Sequence, residues 1–318
     1  MATDQSLNIL LVGGESAGTQ TLKLLANSPH RIVGVLATRP SDHQHGGLWN
    51  AATKLGLTCL PAGDIQRPEF AVQLELLGVD VLLNVHSLYL IPAAVLEACR
   101  IGAFNLHPGP LPEYAGLDVP SWAIYNGETW HGVTLHAMVP KIDAGSIAYQ
   151  SRFEIGPTDT GLKVMSNCVR HGMRLVKALL DDLYRDPTLV PQTVQDLSRR
   201  RYFFRQAPNG GLLEWNRSAV AIADHVRAAD YSPFDSPWGH PVCQWGQIEV
   251  GVIRALASNV ASDSAPGTVG DATDTGVLVA SSDNWVEVQL VTIDGHRRNA
   301  VDVLPTDSIL HNQYSDVC

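Results

Sequence analysis

Asn8-Ile9-Leu10-Leu11-Val12-Gly13-Gly14 is an apolar run that ends on two glycines, and a helix-like stretch from Thr19 to Leu25 follows it. The couplet then repeats. Arg31 to Thr38 reads as a strand and Leu48 to Leu55 as a helix; Leu57 to Pro61 is strand-like and Pro68 to Leu77 helical. Val81 to Val85 is a further strand, and helical Ile91 to Ala98 leads into a strand from Ile101 to Leu106. Strands alternating with helices of this length predict an α/β fold with a doubly wound, mostly parallel sheet. Such a sheet binds its ligands at the carboxyl ends of its strands, where the strand order reverses. Gly13-Gly14-x-x-x-Gly18 approaches a dinucleotide fingerprint, but its spacing is wrong, and it reads as a tight strand-to-helix turn.

Working outward, the pattern changes after about residue 110. Val133 to Met138 and Ile147 to Phe153 alternate as strands do and could pair antiparallel. Thr158 to Tyr184 is a long amphipathic helix, with Leu162, Met165, Val169, Met173 and Val176 spaced for one face. Prolines, the charge run Arg199-Arg200-Arg201 and Pro208-Asn209-Gly210-Gly211 mark a connector. Ser218 to Ala229 is one more helix. Short strands follow at Gln247–Leu256, Gly276–Ala280, Trp285–Leu290 and Arg297–Val303, which suggests a small β-barrel. The expected division is 1–190 for the first domain, 191–213 for a linker and 214–318 for the barrel.

The whole-chain balance limits the function classes. The 318 residues carry a formal net charge of −10, which disfavours a protein that grips nucleic-acid phosphates. No apolar run approaches the roughly 20 residues of a membrane span, and Met1 to Gln5 opens no secretory signal. Five scattered cysteines without a C-x-x-C pair argue against a disulfide framework and a structural zinc site. A cytoplasmic location is the expectation.

The chemistry-bearing stretch is Phe104-Asn105-Leu106-His107-Pro108-Gly109-Pro110-Leu111-Pro112. It follows a strand directly, and strand alternation puts Asn105 and His107 on one face. The prolines then fix a rigid loop, as a preorganised site needs. Read alone, an Asn-x-His pair is often structural. Lys141-Ile142-Asp143-Ala144-Gly145, alone, is an ordinary hairpin turn. Between them stand Tyr114-Ala115-Gly116, Ser121-Trp122-Ala123-Ile124, Asn126-Gly127-Glu128 and His131-Gly132-Val133-Thr134.

In this order and register, the series resembles the folate-dependent formyltransferase family. The family includes methionyl-tRNA formyltransferase, nucleotide-sugar formyltransferases and the formyltransferases of siderophore and nonribosomal-peptide pathways. Glu214-Trp215 and His225-Val226-Arg227-Ala228-Ala229 resemble the start of the family's C-terminal barrel. The resemblance implies a Rossmann-like first domain with a smaller, OB-like barrel. It also implies 10-formyltetrahydrofolate as formyl donor and Asn105, His107 and Asp143 as the catalytic set. The folate contacts it implies are Gly109, Pro110, Leu111 and Pro112, with Val139, Lys141, His86 and Leu88 lining the pterin pocket. It requires no metal. His131 and His136 are read as structural.

The wording Pro110-Leu111-Pro112, Tyr114-Ala115-Gly116 and Trp122-Ala123-Ile124 is closest to the siderophore and nonribosomal-peptide branch. The tRNA-modifying relatives carry basic residues in that loop and in a loop after the second strand. Here Glu113 and the nearly neutral Arg39 to Gly47 stand there. The acceptor expected is therefore a small-molecule amine, first the side chain of ornithine or hydroxyornithine, with nucleic acid disfavoured and no membrane expected as partners. The alternatives are a nucleotide-amino-sugar formyltransferase, then methionyl-tRNA formyltransferase or a 10-formyltetrahydrofolate hydrolase. Oligomeric state is left open.

Overall fold

A computed structural model describes residues 6–40 and 47–312. The greater part of the loop from Arg39 to Gly47 lies outside the described residues. Two compact units interleave along the chain. The first takes the described residues up to Gly116, with Gly132–Phe153 and Ser166–Tyr202. The second takes Leu117–His131, Glu154–Met165 and the described residues from Phe203 onward.

The strands are β1 (Asn8–Gly13), β2 (Arg31–Ala37), β3 (Cys59–Pro61), β4 (Val81–Val85), β5 (Gly102–His107), β6 (Ala115–Gly116), β7 (Trp130–Ala137) and β8 (Ile147–Glu154). The helices are α1 (Glu15–Ala26), α2 (Gly47–Lys54), α3 (Phe70–Leu77), α4 (Ala93–Glu97), α5 (Val119–Tyr125), α6 (Gly161–Arg185) and α7 (Ala219–Ala228). The main sheet has the order β3-β2-β1-β4-β5-β7-β8. Strands β1 to β5 run parallel, and β7 pairs antiparallel with β5. Every residue of β4 is buried, as a central parallel strand covered on both faces must be. The chain runs outward from β1 to β3 and returns to β4 on the other side of β1. That reversal opens a crevice at the strands' carboxyl ends.

Helix α6 packs on this sheet with a stripe somewhat different from the one expected. Within the first unit the buried positions are Cys168, Val169, Gly172, Leu175, Val176, Leu179, Leu180 and Leu183, while Met173 is half-buried. The small residues draw the helix in. A Cβ on Gly172 would stand 2.8 Å from Leu106 Cδ2 on β5, so a side chain there would force Leu106, which lies between Asn105 and His107, to repack.

The second unit is built on β10 (Val242–Trp245), β11 (Ile248–Ala261), β12 (Val269–Ala272), β13 (Val277–Ala280), β14 (Asn284–Ile293), β15 (His296–Asn299) and β16 (Leu310–His311), after a two-residue β9 (Tyr202–Phe203) that pairs with β6. Its antiparallel order is β12-β13-β14-β11-β10-β16, with β15 on β14. An antiparallel bridge from Thr268 to Ile309 brings the two ends of the curled sheet together. Trp215, Ile222 and Val226 fill its core with Val250, Val252, Val279 and Val288. The strand expected at Arg297–Val303 ends at Asn299, where a short 3-10 turn replaces it. Helix α5 joins this unit because it packs on α7: Tyr125 stacks edge-on against His225, and Ser121 Oγ is 2.9 Å from the Tyr231 hydroxyl. Packing units and chain segments therefore differ.

Candidate active site

Strand β5 carries Asn105 and His107 to its carboxyl end, and the register of β7 sets His136 directly across from Asn105. Asp143 sits in the turn between β7 and β8, in a left-handed conformation (φ 53°). These four side chains form one polar cluster.

Hydrogen-bond partners fix the orientation of each. His107 Nε2 is 2.6 Å from the Tyr114 carbonyl, which can only accept, so Nε2 carries the hydrogen. That leaves His107 Nδ1 facing Asp143 Oδ2 at 3.7 Å. His136 Nδ1 lies 2.8 Å from the Ala137 carbonyl and donates to it. Its Nε2 accepts from Asn105 Nδ2 at 3.1 Å and lies 3.5 Å from Asp143 Oδ1. Asn105 Oδ1 accepts from Asn84 Nδ2 at 2.9 Å. The Asn105 amide therefore has a defined orientation and keeps one N–H for a further acceptor.

Electrostatics follow from this enclosure. Burial alone would push the Asp143 carboxyl up. The charge of His107, the neighbouring His136 imidazole and the Gly116 backbone N–H, 2.8 Å from Oδ2, outweigh it and hold the carboxyl well below the usual range. His107 is 3% exposed. Burial pushes its imidazole below the ordinary value, against the pull of Asp143 and the Tyr114 carbonyl.

The connector contributes what the sequence did not reveal. Gln195, 8% exposed, donates from Nε2 to the carbonyls of Asp143 (3.0 Å) and Gly145 (2.6 Å). Arg200 donates to the Ile142 carbonyl at 3.0 Å, and the Arg201 guanidinium lies 4.7 Å over the Tyr114 ring. The basic run is thus a strap across the Asp143 turn. Removing Gln195 as Gln195→Ala strips two buried carbonyls of their donor. We expect urea unfolding to show a loss of about 1–3 kcal/mol, with turnover reduced as the turn loosens.

The remaining expected residues fall into two groups. Leu88, Val139 and Lys141 are exposed, with Leu90 and Ile142 forming further exposed apolar surface on the same loops. Gly109, Pro110, Leu111 and Pro112 are buried. Thr134 Oγ1 donates to Gly109 O and accepts from Leu111 N, and Gln150 donates to Leu111 O. His86 follows β4 with its ring buried. His131 is placed in the second unit.

A family model for formyl transferases matches residues 37–178, and one for the formyl transferase C-terminal domain matches residues 207–304. The chain belongs to the formyltransferase family. Solved structures share the fold of this formyltransferase at low identity. An N-formyltransferase from Helicobacter canadensis, in complex with folinic acid and dTDP-3-aminofucose, superposes with a TM-score of 0.66 at 17% identity, covering 89% of this chain and 99% of its own. The sugar 3N-formyltransferase WlaRD, solved with dTDP and 5-N-formyltetrahydrofolate, gives 0.67 at 18% identity, with 90% and 98% covered. HypX from Aquifex aeolicus, in complex with tetrahydrofolic acid, gives 0.65 at 18% identity; the match covers 94% of this formyltransferase and 47% of HypX. Among the described residues no helix is long and apolar enough to cross a membrane.

Proposed function

We propose that this formyltransferase moves a formyl group from 10-formyltetrahydrofolate to the side-chain amine or hydroxylamine of a small metabolite, with Asn105, His107 and Asp143 as catalytic residues. The observation that carries the reading is the Asn105–His136–Asp143–His107 cluster at the end of β5, with one amide N–H uncommitted and one carboxylate held ionised. The donor supplies a formyl carbonyl whose oxygen gains negative charge when the amine adds to its carbon. Asn105 donates its remaining N–H to that oxygen, an interaction worth on the order of 3–4 kcal/mol. Asp143 takes a proton from the attacking nitrogen, and His107 holds the carboxylate in place and relays the proton toward the departing nitrogen.

The surface beside the cluster suits a flat heteroaromatic ring. Leu88, Leu90 and Val139 are exposed apolar side chains, and Asn84 Oδ1 is buried without a hydrogen-bond partner among the described residues. We place the folate against Leu88, Val139 and Lys141, with Gly109, Pro110, Leu111 and Pro112 backing it. In this reading residues 1–190 form the catalytic segment, 191–213 the linker and 214–318 the barrel. A cytoplasmic location goes with the same reading.

For the acceptor we put ornithine or hydroxyornithine first, in siderophore or peptide natural-product biosynthesis, on the loop Pro110-Leu111-Pro112 and Tyr114-Ala115-Gly116. The dTDP-3-aminofucose and dTDP ligands of two structural neighbours favour a second reading, a nucleotide-amino-sugar acceptor. Assaying ornithine, hydroxyornithine and dTDP-amino sugars with the same donor separates them. N-formylated ornithine or hydroxyornithine is the expected product, and turnover of the sugar nucleotide alone would overturn the choice.

A further inference from the structure

Formylating an alkylamine at neutral pH removes two protons from its nitrogen, because R–NH3+ becomes R–NH–CHO. The departing donor nitrogen takes one of them. The other must reach water. Asp143 is 8% exposed and enclosed by two imidazoles and a backbone N–H, so it suits the internal transfer and has no open route outward.

We propose that His86 and Glu15 form a second proton-accepting pair that deprotonates the acceptor's ammonium and delivers the proton to solvent, a role that rests on the amine-acceptor reading above. Three observations at the crevice between β1 and β4 carry it. The His86 side chain is 3% exposed, and neither ring nitrogen has a hydrogen-bond partner among the described residues. A buried ring with no hydrogen-bond partner on either nitrogen is unusual, and its nitrogens suit a polar ligand group. His86 Nδ1 also stands 3.5 Å from Glu15 Oε2, and Glu15 is 65% exposed. The pair thus has one buried and one solvent-facing end.

The backbone holds the two together. Glu15, two residues beyond β1, and His86, directly after β4, are in left-handed conformations (φ 51° and 52°), a costly state for residues with side chains and one that clusters at functional sites. Gly14 N donates to Val85 O at 3.1 Å, and a Cβ on Gly14 would press the His86 carbonyl at 3.1 Å. Glycine at 14 lets the turns meet. On the open side of Glu15 lies a cavity of about 550 Å³, lined also by Ser16, Lys23, Arg39 and Trp49, which gives that carboxylate a route to water. The titratable groups acting on His86 are Glu15 from the β1 turn and His107 from β5, the latter paired with Asp143 and flanked by His136.

The steps balance. R–NH3+ gives a proton to His86, yielding R–NH2 and an imidazolium that Glu15 stabilises; the imidazolium releases the proton to water. The free amine then forms its C–N bond with the formyl carbon as the bond to the donor nitrogen breaks, and its next proton passes through Asp143 to that nitrogen.

The test compares ornithine, whose amine is an ammonium at pH 7, with N5-hydroxyornithine, whose less basic hydroxylamine is not. His86→Asn, which suits a left-handed backbone, and Glu15→Gln are the variants. On ornithine, His86→Asn should lower kcat/KM by about 100-fold, shrinking as the pH is raised, and Glu15→Gln should lower it less. On hydroxyornithine the deficit should be small, with donor KM and thermal unfolding unchanged. An equal deficit on both acceptors, or a raised donor KM alone, would overturn the pair and return His86 to the folate pocket. Failure of the wild type on both acceptors would count against the acceptor reading instead. NMR of labelled histidines in the free protein then decides: Glu15→Gln should displace the His86 ring resonances, and unchanged resonances overturn the proposal.

Discussion

Asp143→Asn keeps the fold and loses about a thousandfold or more in kcat/KM. The fold survives because the carboxamide oxygen can still accept from Gly116 N, and the turn is held independently through the Asp143 and Gly145 carbonyls by Gln195. The chemistry fails because a carboxamide cannot take a proton at neutral pH. Circular dichroism and donor binding should match the wild type while steady-state transfer collapses. Turnover near the wild-type rate would remove Asp143 from the mechanism.

Asn105→Ala should lower kcat by about 100- to 1,000-fold with a much smaller change in donor KM. The amide is fixed before any ligand arrives: Asn84 holds its oxygen and His136 takes one N–H, so the second N–H needs no reorganisation when charge develops. Such preorganised donors act on the transition state more than on the ground state, which places the loss in kcat. Steady-state kinetics with the donor varied tests this. A rise in KM at constant kcat would make Asn105 a binding residue only.

Much of this arrangement was legible in the sequence, for a physical reason. Strands β1 and β4 are buried on both faces, so they read as unbroken apolar runs, and the Asn105-x-His107 pair lies on one strand whose alternation is local. The parts that stayed hidden depend on contacts between distant segments. His136 enters the cluster only through the register of β7 on β5. Gln195 reaches Asp143 across 52 residues of chain. In the second unit, β12 has four residues and β16 two, too short to show a period, and α5 begins with Pro120 in its first turn. The expected α6 stripe keeps Val169 and Val176 but is rotated by a small part of a turn, because Cys168 and Gly172, which let the helix approach β5, do not register as large apolar positions.

The central claim is that the cluster on β5 transfers a formyl group to an amine and does not merely release it. Supplying 10-formyltetrahydrofolate labelled in the formyl carbon, with and without an amine acceptor, measures this in a single experiment. The account predicts label in an N-formyl product, dependent on the amine and lost in Asp143→Asn. Label appearing as formate at the full rate with no amine present would contradict it.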